Sequence, residues 1–285
     1  MVGKIGETYK MIRIAKSLTQ KEVVGENFST AQLSKFETGE SSLTVEKFFV
    51  LLENSNIHLD EFQSIYNDYT LSESSIFRRE LVTAYDSRNI QKLRGYFNFW
   101  KEKYELNPHQ RYYKINQLVA SSILSLALNS KVLRDDIVFL TDYLDSVTEW
   151  GRYELWVFGN CLNFFDSGTL EYYSQIILGN TGFYKNIHLN QQMVIRTFLN
   201  LIQVWLSRKN LIEAFKYIQN LKSNNLITLD FFYEKVMLKY HEGHYQYLQG
   251  HKQGKEIMIN CAKSFEYFGE YDISRNLNNE IIKLH

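Results

Sequence analysis

A series of short polar side chains lies between residues 29 and 38, and helical spacing would place them on one exposed arc. Leu33 and Phe36 lie three positions apart and predict the buried side of that helix. Hydroxyl and ammonium groups on the opposite arc can hydrogen-bond to base edges in the major groove of DNA, and an alanine methyl can contact a thymine methyl. The predicted DNA-facing residues of this helix are Ser29, Thr30, Ala31, Ser34, Lys35 and Thr38.

Two capped helices joined by a short bend must position this arc. Thr19 and Glu22 have the spacing of a capping box, in which each side chain accepts a hydrogen bond from the other residue's backbone N–H. Ser29 and Gln32 repeat that spacing at the start of the second helix, and Gly39 can take the positive φ that ends it. The pattern predicts a helix-turn-helix.

This segment resembles the repressor-type (XRE or Cro/CI-like) helix-turn-helix domain. The resemblance implies that Gln20, at the start of the leading helix, contacts a DNA phosphate, and that Arg13 and Glu37 form a buried ion pair. A guanidinium fork and a bidentate carboxylate suit each other. One alternative stays open, because two capped helices with a bend also occur in helical bundles that bind no DNA.

The charge of residues 1 to 66 predicts weak DNA binding by one copy, because phosphate neutralisation supplies most of the non-specific affinity. Two copies held together elsewhere would compensate. Seven cations (Lys4, Lys10, Arg13, Lys16, Lys21, Lys35, Lys47) face nine carboxylates (Glu7, Glu22, Glu26, Glu37, Glu40, Glu46, Glu53, Asp60, Glu61).

Composition predicts a folded protein of two domains. The chain has 285 residues, of which 45% are hydrophobic and 15% aromatic, and its net charge is zero. The N-terminus lacks the apolar core of a signal peptide, and the longest apolar stretch, residues 118 to 128, is too short to span a membrane. We therefore expect a cytoplasmic protein without membrane contact, cofactor or metal, whose two cysteines, Cys161 and Cys261, are buried thiols.

Helical periodicity without strand alternation predicts an all-α fold. Residues 1–66 predict a five-helix DNA-binding domain, residues 67–75 a linker, and residues 76–285 a regulatory and dimerisation domain of helical repeats. The predicted core of the first domain is Ile5, Tyr9, Ile12, Val23, Leu33, Phe36, Phe48, Leu51, Leu52 and Phe62. Pro108, preceded by Asn107, predicts a helix start with the asparagine as N-cap.

Helix starts recur at intervals of roughly 40 residues in the second domain, which predicts stacked helix pairs of a tetratricopeptide-like solenoid. The first helices of such pairs line a groove that suits an extended peptide. The predicted starts lie near Ser72, Arg111, Arg152, Asn190, Phe231 and Tyr271.

The whole chain resembles the Rgg/GadR/MutR regulators. Two segments carry the resemblance: FSTAQLSKFETGESS at 28 to 42, whose bend is one residue shorter than in most repressor-type domains, and EWGRYELWVFGN at 149 to 160. The resemblance implies a homodimeric transcription regulator, joined through its C-terminal domain, which binds promoter DNA and a short, mostly apolar signalling peptide. Residues 43 to 47, LTVEK, lack the cysteine that links the DNA-binding domains of some members.

The resemblance places Arg152 against the peptide, where an arginine would select a carboxylate. The alternative is that Arg152 is a surface residue that pairs with Glu149 or Glu154. The other groove candidates supply amides for the peptide backbone, a second charge and apolar walls. They are Asn190, Gln191 and Asn200, then Arg196, then Trp156 and Tyr233.

Three histidines near the end of the chain, His241, His244 and His251, invite a metal-binding or pH-sensing interpretation. The HEGH segment lacks the HExxH spacing of a zinc protease, so we expect solvated or partly packed histidines. The sequence contains no phosphate-binding loop and no nucleophile motif, so nothing in it indicates an enzyme. The competing hypothesis to a peptide-controlled regulator is a helical-repeat scaffold whose N-terminal domain binds no DNA.

Overall fold

The computed structural model describes residues 2–130, 134–179, 187–223, 227–228 and 230–284. The described ranges form sixteen α-helices and one 3-10 helix, and they contain no strand, which confirms the all-α prediction. None of these helices is both long and apolar enough to cross a membrane. The chain divides into two compact units, residues 1–78 and 79–285. The linker proposed at residues 67–75 stays a prediction, and a helix already begins at Glu73.

The first unit contains five complete helices, the number that the sequence predicted for it. A sixth, α6 (Glu73–Asp86), begins in this unit and ends in the second. The five are α1 (Val2–Ala15), α2 (Gln20–Val24), α3 (Thr30–Glu37), α4 (Val45–Asn54) and α5 (Leu59–Tyr66).

The core of the first unit forms where α1 packs on α3 and α5, and α2 packs on α3 and α4. The Tyr9 hydroxyl and the Ser55 hydroxyl lie 2.6 Å apart inside it, which satisfies two buried polar groups. The prediction for Ile5 was wrong, because its side chain is 38% exposed. The buried members are Tyr9, Ile12, Val23, Val24, Leu33, Phe36, Leu51, Leu52, Ile57 and Phe62, with Phe48 packed against them.

The first of the two capping boxes is complete and the second is not. Glu22 N–H donates to Thr19 Oγ1 (3.3 Å), and Thr19 N–H donates to Glu22 Oε2 (2.7 Å). Ser29 Oγ accepts from Gln32 N–H at 3.2 Å, but the Gln32 side chain makes no reciprocal bond, so that half of the prediction was wrong.

The end of α3 is closed by the glycine that the sequence predicted. Gly39 has φ +77°, which lets Glu40 N–H donate to Lys35 O at 2.8 Å. Gly39 N–H donates to Phe36 O at 3.0 Å, and the two bonds together form a Schellman motif. The motif therefore ends α3 directly after Glu37.

The second unit consists of helix pairs whose first helices start within two residues of the predicted positions. The prediction at Pro108 was wrong: Asn107 caps the C-terminus of the preceding helix, and Gln110 precedes the next one. The bounds are α7 (Ile90–Leu106), α8 (Arg111–Leu128), α9 (Arg134–Asp145), α10 (Arg152–Cys161), the 3-10 helix (Leu162–Phe164), α11 (Ser167–Gly179), α12 (His188–Ser207), α13 (Leu211–Ser223), α14 (Phe232–Leu248), α15 (Gln253–Tyr267) and α16 (Tyr271–Ile282).

The first helices α8, α10, α12 and α14 pack side by side in that order. Side chains join neighbouring members: Thr197 Oγ1 on α12 contacts Leu155 O on α10 at 3.4 Å, and Ser122 Oγ on α8 donates to Asn160 O on α10 at 2.7 Å. Phe198 stacks on Tyr217 of α13 at 5.6 Å. The second helix of this pair therefore covers one side of α12.

The two cysteines are free and buried, as predicted. Burial raises the pKa of the Cys161 thiol and of the Cys261 thiol. Both therefore stay protonated and pack as small apolar side chains.

Gly6→Ala tests the close crossing of α1 and α3. A Cβ at Gly6 would lie 1.8 Å from Phe36 O, so the two helices must separate. We expect a loss of about 1–3 kcal/mol or more in the free energy of unfolding, measured by urea denaturation.

Gly3→Ala is the matched control one turn earlier on α1. Its Cβ would meet nothing closer than 3.8 Å, so the variant should keep wild-type stability. Equal stabilities for the two variants would show that α1 and α3 do not approach as described.

Candidate functional site

The outward side of α3 carries the six polar and small residues that the sequence placed there. Leu33 and Phe36 are buried on the inner side. Thr38 is held locally, because its hydroxyl contacts Ser34 O, Lys35 O and Glu40 Oε1 at 2.9–3.2 Å. Ser29, Thr30, Ala31, Ser34, Lys35 and Thr38 are all exposed.

Arg13 and Glu37 form a bidentate ion pair that is almost fully buried. Arg13 Nε donates to Glu37 Oε1 at 2.6 Å, and Nη2 donates to Oε2 at 2.8 Å. The remaining guanidinium nitrogen donates to Leu18 O at 2.7 Å. The hydrogen bond to Glu37 raises the pKa of Arg13. The pair fastens α1 to the end of α3 and leaves no unbalanced charge behind the exposed face.

Gln20 lies beside this pair. Its Nε2 donates to Glu37 Oε2 at 2.9 Å, so α2 joins the same network. The side chain is half-buried. The Nε2 group of Gln20 has a second N–H that this bond does not use. A contact between that N–H and a DNA phosphate remains a proposal.

Most cations of residues 1 to 66 are already engaged within the protein. Lys4 pairs with Asp68, Lys16 donates to Asn56 O, and Lys47 donates to Gln32 Oε1, each at 2.9 Å. Arg13 is buried against Glu37. Three exposed lysines make no side-chain bond within the described part of the first unit: Lys10, Lys21 and Lys35.

One side of the first-helix layer faces away from the second helices. A residue turns by about 100° along an α-helix, so Arg196 and Asn200 lie roughly opposite Phe198 on α12. The same count on α10 places Trp156 roughly opposite Phe158, whose ring packs on Tyr173 of α11, and Arg152 about 120° away from Phe158. The structure thus brings these four groove candidates to one side, which we call the open side.

Arg152 is exposed at the start of α10 and makes no hydrogen bond or ion pair among the residues that the structure describes. Of the two partners that the alternative interpretation offers, Glu154 is occupied elsewhere, because it accepts from Gly151 N–H at 2.9 Å and from the Tyr143 hydroxyl at 2.6 Å. The other, Glu149, is exposed and makes no ion pair with Arg152. Trp156 is 5% exposed and its ring stacks on Tyr153 at 6.0 Å. Arg152 therefore carries a charge that no acidic side chain of the described residues compensates, and Trp156, about one turn later on α10, is buried.

Arg196 differs, because its charge is matched. Its Nε donates to Glu234 Oε1 at 2.7 Å, and Gln192 Nε2 donates to the same oxygen at 3.0 Å. Glu234 is 1% exposed, and the Arg196 guanidinium lies 5.3 Å from the centre of the Tyr233 ring. Glu234 and Gln192 were not predicted from the sequence, since nothing in their spacing indicates that α12 and α14 meet there.

The three amide candidates differ in burial and in the side of α12 on which they lie. Asn200 is exposed and its Nδ2 donates to Gly159 O at 3.2 Å. Asn190 is buried, and its Oδ1 has no hydrogen-bond partner among the residues described. Gln191 lies on the side of α12 that carries Phe198, away from the open side. Asn200 alone of these three is placed to meet a ligand on the open side.

The three histidines do not form one metal-binding group in the described part of the chain, and the expectation of solvated or partly packed side chains was wrong for two of them. His241 and His244 are 3% and 7% exposed, whereas His251 is exposed and follows the end of α14. Burial lowers the pKa of His241 to about 3 and also lowers the pKa of His244. Both are neutral at physiological pH. Within the described residues no group of three metal-binding side chains occurs.

A repressor-type helix-turn-helix followed by a layer of helix pairs defines a class of two-part regulators. The chain belongs to the family of HTH-type transcriptional regulator Rgg, whose C-terminal domain matches residues 90–279. This confirms the resemblance drawn from the sequence.

Solved structures agree over the full length of the chain. A variant of the SHP pheromone receptor Rgg2 of Streptococcus dysgalactiae has a TM-score of 0.77 at 25% identity, with 98% of this chain and 99% of that chain covered. A transcriptional regulator of Listeria monocytogenes EGD-e has a TM-score of 0.82 at 19% identity, covering 100% and 98%. The PrgX/iCF10 complex has a TM-score of 0.71 at 19% identity, covering 99% and 96%.

Glu37→Gln tests the buried pair. The substitution leaves Arg13 buried without a counter-charge, so the free energy of unfolding should fall by about 3 kcal/mol or more. Urea denaturation of the purified protein measures it.

Asp68→Asn is the control, because the Lys4–Asp68 pair is exposed and should contribute about 1 kcal/mol or less. The double variant Arg13→Met, Glu37→Leu should be more stable than Glu37→Gln, since no charge stays buried. A double variant less stable than the single one would contradict this account.

The lowered pKa of His241 predicts that the free energy of unfolding decreases as the pH falls. The unfolded state takes up a proton near pH 6.5, whereas folded His241 does so only near pH 3. Between those values the unfolded state binds more protons, so stability decreases as pH falls, by about 1.4 kcal/mol per pH unit for this residue.

Urea denaturation at pH 7 and pH 5 checks this, and His241→Gln should weaken the pH dependence by about 2 kcal/mol over that interval. An unaltered slope in His241→Gln would mean that His241 is accessible to protons in the folded state.

Proposed function

We propose that the protein is a sequence-specific DNA-binding transcription regulator whose second unit binds a short signalling peptide that controls its activity. The observation that carries the proposal is Arg152, an unpaired arginine on the open side of a helix-pair layer, in a chain whose first unit presents a polar recognition-type helix. The first feature fits a ligand with a carboxylate. The second fits duplex DNA.

The DNA arm of the proposal rests on α3. Recognition helices enter the major groove by their N-terminal turn, which brings Ser29, Thr30 and Ala31 nearest the bases and Lys35 one turn later. Ser34 and Thr38 follow on the same arc, and Gln20 is assigned to a phosphate. With Lys10, Lys21 and Lys35 as its available cations, one copy would show a salt slope of only about −3. We therefore infer a homodimer joined through the C-terminal domain, which places two copies on one operator.

The peptide arm rests on the contrast between the two arginines of the open side. Glu234 balances Arg196, so Arg196 and Tyr233 form a wall of the site, with Trp156 beneath. Arg152 has no such partner, and a guanidinium binds a carboxylate in a bidentate manner. Asn200 keeps its Oδ1 for a peptide N–H. Asn190 and Gln191 would contact the peptide only if peptide binding reoriented α12.

The similar proteins support a peptide-controlled function. One is named a pheromone receptor, and another was solved as the PrgX/iCF10 complex. We infer that the protein acts in the cytoplasm, where promoters are, that it requires no cofactor, and that it is not an enzyme.

The test is fluorescence-anisotropy binding to the DNA upstream of its own gene, against scrambled DNA, at fixed salt and over a range of protein concentration. Wild type should prefer the native DNA and bind with two chains per site. Thr30→Ala and Lys35→Ala should weaken that binding while thermal unfolding stays unchanged. Unaltered binding in both variants would favour a scaffold.

The peptide arm uses the same assay with filtrate of dense cultures as the peptide source. Arg152→Ala should bind DNA like wild type but lose the response to filtrate. Arg94→Ala, an exposed arginine on the second helix α7, should keep both. A filtrate response that survives Arg152→Ala would remove Arg152 from the site.

A further inference from the structure

We propose that Gln32 and Lys47 form a further specificity-determining pair, in which Lys47 turns the Gln32 amide so that it donates hydrogen bonds to guanine rather than reading adenine. The inference rests on the proposed function and adds a base contact to the residues already assigned to α3. Its basis is one hydrogen bond that connects α3 with α4.

The Gln32 side chain is available because the helix cap does not use it. Only its backbone N–H takes part in the cap, donating to Ser29 Oγ at 3.2 Å. The side chain is half-exposed in the first turn of α3. Lys35 lies about 60° away around the helix, so Gln32 flanks the DNA-facing arc at its N-terminal end.

The orientation of the amide follows from the chemistry of its partner. Lys47 Nζ lies 2.9 Å from Gln32 Oε1. An ammonium group has three donors and no acceptor, so the amide oxygen must face it and the NH₂ group must point away. The assignment of oxygen and nitrogen at Gln32 is thus fixed by charge.

Lys47 is itself held in place from two directions. Its backbone N–H donates to Thr44 Oγ1 at 3.5 Å in the first turn of α4. Its ammonium lies 5.6 Å from the centre of the Phe28 ring, which belongs to the segment just before α3. These contacts position the lysine beside Gln32 before DNA arrives.

A glutamine with both ends free reads adenine, because adenine offers one acceptor and one donor in the major groove. Here the amide oxygen is already occupied, so the pair offers donors only. Guanine presents two acceptors, N7 and O6, in the major groove. The pair should therefore select guanine, and removal of the ammonium should restore the reading of adenine.

The experiment selects duplexes from a pool of randomised DNA with the full-length protein and sequences those that bind. Wild type, Gln32→Ala, Lys47→Met and Lys35→Ala are compared at one salt concentration. Lys101→Met, a lysine-to-methionine change on α7, is the matched control. Thermal unfolding of each variant confirms its fold.

At one position of each half-site, we expect wild type to prefer guanine over adenine by about fivefold or more. Gln32→Ala should lose that preference, and Lys47→Met should shift it toward adenine. Lys35→Ala should alter a different position, and Lys101→Met none. If Gln32→Ala and Lys47→Met lower the affinity equally for all sequences, the pair contacts phosphate and the inference is overturned.

The failure of the proposed function has a separate signature. Wild type that enriches no sequence from the pool would overturn DNA recognition itself, and the inference with it. Wild type that enriches a sequence whose base preferences are unchanged in Gln32→Ala, but altered in Lys35→Ala, would overturn the inference alone.

Discussion

The first unit depends on the buried ion pair between Arg13 and Glu37. A charge removed from water is tolerated only with a partner that satisfies its hydrogen bonds, and here the guanidinium binds both carboxylate oxygens and Leu18 O. Gln20 adds a third bond to Glu37, so three helices converge on one carboxylate. Because the network fixes α3 from behind, the opposite side of that helix can remain small, polar and exposed.

The second unit also contains a buried charge that is satisfied by a partner on another helix. Glu234 is buried at the junction of α12 and α14, and Arg196 and Gln192 satisfy it. That pairing neutralises the charge of Arg196 on the open side, whereas Arg152 makes no ion pair within the described residues. A ligand carboxylate would meet little competition there. The proposed peptide site rests on this contrast between a structural and an available arginine.

Local signals in the sequence predicted most of the helix boundaries. The capping box of Thr19 and Glu22 and the positive φ at Gly39 depend only on residues a few positions apart, and both occur as predicted. The same local logic failed at Pro108, where the preceding asparagine ends one helix instead of starting the next. It failed again at Gln32, because Lys47, fifteen residues away, competes for the side chain. Local spacing could not anticipate that partner.

By itself the sequence determined the all-helical class, the helix-turn-helix and the sides of α3, since periodicity and capping act within one or two turns. Only the tertiary structure decided which polar groups are free. It buried His241 and His244, gave Arg196 a counter-charge and left Arg152 without one. The reason is that the availability of a charge or an amide depends on what a second helix brings within about 3 Å, and sequence separation carries no record of that approach.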